Sequence, residues 1–283
     1  MDKAVLARDI ILLAALRDAR EAASKEGIEL AALKGAALLE LGLYQPGERG
    51  MADADVLVRA RDLKRFEGLL TGLGFEPMPE SADAWLRPSA GGAPPAILDI
   101  HTALWHVADT EALFDWGLEP GPEGVALNLA DLFLHTAVHP LLHHGELTAR
   151  AMEDCRRIAA RGTEVHGRGF WPSAARKAGF YSLRPAAWPA VRRLLEAGAV
   201  APADAEAFRP RGPEKIKAAF FEKAASRRST LLEYLLPVLH RPGLALKYAV
   251  PGAEFMRRRY GSASPAAYLL RPLRLALGLL FRR

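Results

Sequence analysis

The sequence predicts an α+β protein: a small α/β unit with a mixed sheet over residues 1–120, then a mostly helical half over residues 121–283. Short apolar runs bounded by Gly and Pro alternate with helix-period segments over the first ~110 residues, which is the pattern of strands interleaved with helices. From Leu127 onward the spacing is helical and no strand pattern returns. Between the halves, Glu119-Pro120-Gly121-Pro122-Glu123-Gly124 has the composition of a linker. With 283 residues, 50% hydrophobic and 25% charged, the chain can bury a substantial core, and disorder, collagen and coiled coil are excluded.

The elements follow in order. Val5, Ile10, Leu12, Leu13 and Leu16 fall near helical spacing, and Gly27 is a suitable helix stop. Ile28 to Leu33 reads as a short strand. Gly35 opens a second helix through Leu41, closed by Gly42 and the turn Gln45-Pro46-Gly47. Asp53 to Val58 has strand character, and Ala60 to Leu73 is helical by the spacing of Leu63, Phe66, Leu69, Leu70 and Leu73, with Gly74 as terminator. Ala84-Trp85-Leu86 and Ala96 to His101 read as two further strands joined by the turn-rich stretch Pro88 to Pro95. Leu129 to His143 and Leu147 to Ala160 open the helical half. The five tryptophans are scattered, so core packing is the default over base stacking.

The single cysteine, Cys155, forbids an intrachain disulfide, and with no evident base partner it reads as a packed helix cysteine rather than a nucleophile. The N-terminal apolar stretch lacks a cleavage site, and nothing reaches the ~18 consecutive apolar residues of a spanning helix, so a cytoplasmic protein is expected. The net charge of +5 is unevenly placed. Residues 254–283 hold seven arginines (Arg257, Arg258, Arg259, Arg271, Arg274, Arg282 and Arg283) against one acid, Glu254, which leaves the other 253 residues at −1. A near-neutral body argues against general nucleic-acid binding. The apolar, arginine-rich tail fits either peripheral contact with an anionic membrane or acidic partner, or a last helix packed on the body.

Asp53-Ala54-Asp55 opens an apolar strand. Side chains at i and i+2 of a strand share a face, so the two carboxylates converge, which is costly unless a cation lies between them. Oxygen ligation of this kind suits Mg²⁺ or Mn²⁺. On this pattern alone a solvated strand end is the plainer reading, but two neighbours weigh against it. Asp99 sits in a second apolar strand and supplies a third carboxylate, the complement of a two-metal phosphoryl or nucleotidyl transfer site. Lys34-Gly35 lies between a strand and a helix N-terminus, where glycine lets the backbone approach a phosphate and lysine adds a point charge. Arg49 offers a second cation.

Three stretches resemble one family: Leu33-Lys34-Gly35, then Arg49-Gly50-Met51-Ala52-Asp53-Ala54-Asp55-Val56-Leu57-Val58, then Leu98-Asp99-Ile100-His101, with Leu73-Gly74-Phe75 between. They are similar to the uncharacterised nucleotidyltransferases of bacteria, within the DNA-polymerase-β-like nucleotidyltransferase superfamily. The likeness extends to Leu134 through His139, His143 and Met152-Glu153-Asp154, covers residues 28–160 well, and is loose in the C-terminal third. The resemblance implies a polymerase-β-like fold, with Asp53, Asp55 and Asp99 as metal-binding and catalytic carboxylates. Lys34, Gly35 and Arg49 would bind the triphosphate or shape its pocket. The wider superfamily's Gly-Ser is replaced here by Lys34-Gly35-Ala36, which leaves no serine hydroxyl for the phosphates at that place.

His135, His139 and His143 fall at steps of four on one helix face, one turn after Asp131, with Pro140 interrupting the helical bonding. A polar face lining the cleft between the halves, where the histidines contact nucleotide or carboxylates, with His135 and His139 as the nucleotide-binding candidates, is preferred over a separate transition-metal site. The expected activity is transfer of a nucleoside monophosphate from an NTP to an acceptor hydroxyl or phosphate, releasing pyrophosphate, with Mg²⁺ or Mn²⁺. The acceptor could be a protein, peptide, RNA end, sugar or other small molecule. Two alternatives stay open: a non-catalytic nucleotide sensor or scaffold, and a helical metallohydrolase built on the histidines.

Overall fold

The structure, a computed structural model, describes residues 2–79, 81, 83–89, 91–104, 107, 110–226, 236, 238–240 and 252–271. Helix α1 (Lys3–Lys25) starts at Asp2, whose carboxylate accepts from Ala4 N–H at 2.9 Å, and buries the stripe Leu12, Ala15, Leu16, Ala19 and Ala23. Gly27 ends it at φ +67°, a conformation glycine adopts without strain. Strand β1 (Leu30–Ala32) leads into the short helix α2 (Lys34–Glu40), and β2 (Ala54–Val58) into α3 (Leu63–Gly72) through a 3₁₀ turn at Ala60–Asp62. Strands β3 (Glu76–Pro77), β4 (Ala84–Arg87) and β5 (Ala96–His101) follow, then helix α4 (Thr110–Trp116). Every residue of β1 and β2 is buried, as expected of central strands.

Residues 119–124 differ from expectation. They belong to a hairpin of β6 (Leu118–Gly121) and β7 (Gly124–Leu127), with Gly124 at φ +125° in the turn. Pro120 resembles linker composition, yet β6 is an edge strand, where a missing N–H costs no ladder bond. Strand β7 pairs in parallel with β1 at Ala32↔Ala126, so the hairpin extends the sheet. The order is β3-β4-β5-β2-β1-β7-β6, a seven-stranded mixed sheet. The protein is therefore α+β, as the sequence predicts.

The helical half opens with α5 (Leu129–His144) and α6 (Ala149–His166), followed by α7 (Phe170–Phe180), α8 (Arg184–Glu196), α9 (Pro202–Glu206) and α10 (Glu214–Ser226), with a further helix at Ala253–Tyr260. Helix α5 continues through Pro140, which removes the N–H that would serve the Thr136 carbonyl, and stops at left-handed Gly145. One apolar cluster runs from Leu12 of α1 through the sheet to Phe221 of α10. Cys155 is buried in it and burial pushes its thiol pKa up, as befits a packed cysteine. Trp85 and Trp171 are core residues, Trp116 is exposed, and Trp105 lies outside the described residues. So do residues 272–283, with three of the tail arginines. Among the described residues no helix is long and apolar enough to cross a membrane.

Candidate nucleotide and metal site

Parallel pairing of β2 with β5 sets Asp55 directly beside Asp99 and Leu57 beside His101. Because side chains alternate along a strand, Asp99 and His101 share a face, and that face meets Asp55. His101 Nε2 lies 2.9 Å from Asp55 Oδ1 and 3.4 Å from Asp99 Oδ2. Ligand atoms of Asp55, Asp99 and His101 all fall within 4.8 Å of one another, an arrangement able to hold a metal ion. Asp53 precedes β2 by one residue, is half-buried, and stands beside this group rather than within it.

The cluster carries more acid than it can hold unaided. Burial raises the Asp53 carboxyl pKa, and the Asp55 charge raises it further. Burial also opposes ionisation of Asp55, but the hydrogen bond from His101 and the charge of Lys34 outweigh it and hold that pKa below the usual range. Burial disfavours the His101 imidazolium, yet its bonds to Asp55 and Asp99 push the pKa up to about 9. The Lys34 ammonium adds a second positive charge by bonding Asp55 Oδ1, which leaves three carboxylates against two cations. Among the described residues Lys34 is one of two non-glycines with positive φ, at +46°, so a strained backbone delivers this charge.

Lys34 also lines a cleft of about 220 Å³, bounded by Arg49 on the same side and by α5 and α6 on the other. His135, Thr136 and His139 of α5 and Thr148, Arg150 and Asp154 of α6 are among its walls. Four sequence-predicted residues, Lys34, Arg49, His135 and His139, thus meet around one cavity. The imidazole rings of His135, His139 and His143 follow one another at 5.0 and 4.9 Å. Burial, then the charges of His144, Lys34 and His101, lower the His143 pKa to about 4.

Gly35 makes room for Arg49. A Cβ there would collide with the Arg49 guanidinium and lie 2.9 Å from Met51 Cγ, so its missing side chain admits Arg49. Arg49 in turn is held by Asp154 of α6, with Nε at 3.0 Å from Oδ1 and Nη2 at 2.8 Å from Oδ2. The Tyr44 hydroxyl donates to the same carboxylate at 2.7 Å. The loop before β2 is fixed from α1: buried Asp9 accepts from Gly47 N–H at 2.8 Å and from Met51 N–H at 2.9 Å. Neither Asp9 nor His101 belongs to the site residues that the sequence predicts. Asp9 lies one turn before Leu12 on the buried stripe of α1, and His101 lies two residues after Asp99. Both were visible as polar groups on faces already identified.

The sequence profile of a family described as an uncharacterised nucleotidyltransferase matches residues 2–194. The chain belongs to that family. Among solved structures, this family member is similar to the antibiotic-resistance factor ANT(2″)-Ia in solution, at 15% identity over 62% of this chain and 98% of that one. The TM-score is 0.39, a likeness too low to bear on function. No curated protein matches the sequence.

Proposed function

We propose that this protein transfers a nucleoside monophosphate from an NTP to an acceptor hydroxyl or phosphate, with Mg²⁺ or Mn²⁺. The observation that carries the reading is the Asp55↔Asp99 register, which pairs two carboxylates, with Asp53 beside them; these acids do not line the cleft themselves, and Lys34, which bonds Asp55 and lines it, links the two. The donor set suits a divalent cation: two carboxylates and an imidazole draw together, and Asp55 already takes positive charge from Lys34 and His101. Asp55 and Asp99 would hold the ion, with Asp53 adjacent. Bound there, it would neutralise phosphate oxygens and the charge developing on the leaving group.

In the proposed transfer, an acceptor oxygen attacks the α-phosphorus, the α–β bridging P–O bond breaks, and pyrophosphate leaves. Asp99 orients the acceptor and takes its proton. Lys34 meets the phosphates, and Arg49, fixed by Asp154 over Gly35, shapes their pocket together with His135 and His139. Positioning and charge neutralisation supply the acceleration. The α/β half to residue 120 supplies the acids in this reading, and the helical half from residue 121 closes the cleft.

The test is incubation of full-length protein with α-labelled NTPs, Mg²⁺ and cell lysate. Label appearing on an acceptor with wild type and absent with Asp55→Asn supports the proposal. NTP binding without transfer to any acceptor favours a sensor, and no thermal shift from NTP and metal together rejects both readings.

A further inference from the structure

Two cations of the cleft are already engaged, Lys34 with Asp55 and Arg49 with Asp154. Arg150 is different. It is exposed on the cleft wall and, among the described residues, forms no ion pair or hydrogen bond. It stands in the first turn of α6, an 18-residue helix with no acidic residue in that turn. Thr148 caps this helix by accepting from Ala151 N–H, and the N–H groups of Ala149 and Arg150 have no intrahelical acceptor. Thr148, Arg150 and Ala151 all line the cleft.

A second observation lies on the facing helix. Thr136 of α5 lines the same cleft, is 7% exposed, and its Oγ1 has no hydrogen-bond partner. A buried hydroxyl left unpaired is costly, so its presence on a cavity wall points to a ligand that completes it. Seven-residue α2 is too short to offer a comparable dipole, and the space over its Gly35 is filled by Arg49. The acids of the wall are Asp154, neutralised by Arg49, and Glu146.

We propose that the first turn of α6, with Arg150 and the Thr136 hydroxyl, is the subsite for the pyrophosphate portion of the NTP. The inference rests on the nucleotidyl-transfer reading and assigns where the β- and γ-phosphates go. Arg150 supplies a forked, permanently charged donor, the α6 N–H groups supply dipole, and Thr136 donates a hydrogen bond. Placed there, the leaving group is held by α6 while Lys34 and the carboxylates act on the α-phosphate.

The test is calorimetric titration of full-length protein with inorganic pyrophosphate and, separately, with each NTP, in Mg²⁺. Arg150→Gln and the isosteric Thr136→Val are each expected to weaken pyrophosphate and NTP binding about tenfold, the scale of one lost charged hydrogen bond. Glu146→Gln, which removes an acid from the same wall, is expected to tighten both. If wild type binds pyrophosphate and NTP and the Arg150 and Thr136 variants bind equally well, the subsite is wrong and the transferase reading stands. If wild type binds NTP but not pyrophosphate, the subsite is likewise wrong. If it binds neither, both fall.

Discussion

Two buried aspartates each meet a lysine ammonium, Asp55 with Lys34 and Asp131 with Lys177, and their surroundings give them opposite characters. Around Asp131 the partners are complete. Lys177 and Asn128 Nδ2 donate to Oδ2, the Tyr181 hydroxyl donates to Oδ1 at 3.1 Å, and the Trp116 ring lies 4.5 Å from the Lys177 nitrogen. Around Asp55 the neighbours include two more carboxylates, and the Lys34 side chain is 28% exposed where that of Lys177 is 16%. Burial raises the Asp131 pKa, with no second acid adding to it, whereas at the other site the donors are spent on Asp55 and the neighbouring acids Asp55 and Asp99 both raise the pKa of Asp53. A buried ion pair is thus ambiguous until its neighbours are counted. Satisfied acid pins helices together, and surplus acid beside a cleft asks for a cation.

The contrast breaks first at Lys177. Lys177→Met strands a buried carboxylate with only neutral donors, and urea denaturation should lose about 3–5 kcal/mol of stability. Transfer activity per folded molecule should stay near wild type. Equal loss of activity would place Asp131 in the reaction and dissolve the distinction.

Along α5 the imidazole row connects the two regions, since Asp131, His135, His139 and His143 follow at steps of four. His143 has its pKa lowered from 6.5 to about 4 in the folded chain, so the unfolded chain takes up a proton that the folded chain refuses. Stability should therefore fall as pH drops from about 6.5 to about 4, with a slope of up to about 1.4 kcal/mol per pH unit from this residue. His143→Gln should flatten that slope in denaturation curves taken across the range. An unchanged slope would mean that His143 is already charged in the folded protein.

The smallest effect belongs to Lys34. Its partly exposed pair with Asp55 should contribute about 1 kcal/mol, so Lys34→Met should lower the melting temperature slightly. Adding Mn²⁺ should restore it, because the metal replaces the missing positive charge. Lys177→Met should gain nothing from Mn²⁺.

Local features were legible in the sequence, and pairings between distant segments were not. The acids of Asp53-Ala54-Asp55 and Asp99 stood out because a charged residue in an apolar strand run breaks the pattern. Their meeting depends on the β2–β5 register, which no local spacing dictates. His101 needed only the same period of two applied once more. The ion pair that holds Arg49 is not legible, because its partner Asp154 lies 105 residues later, and Lys177 is invisible as the partner of Asp131 for the same reason. Hairpin β6–β7 passed for a linker because Pro and Gly on an edge strand look like loop composition.

Divalent-cation binding by Asp55 and Asp99, as proposed, is the property on which the transferase reading stands. Mn²⁺ paramagnetic resonance measures this directly, by titrating full-length wild type, Asp55→Asn, Asp99→Asn and Asp131→Asn with the ion, with and without an NTP. Wild type and Asp131→Asn should bind Mn²⁺, more tightly with NTP, and Asp55→Asn and Asp99→Asn should each lose this binding. Undiminished Mn²⁺ binding by Asp55→Asn and Asp99→Asn, or no Mn²⁺ binding by wild type even with NTP, would contradict it.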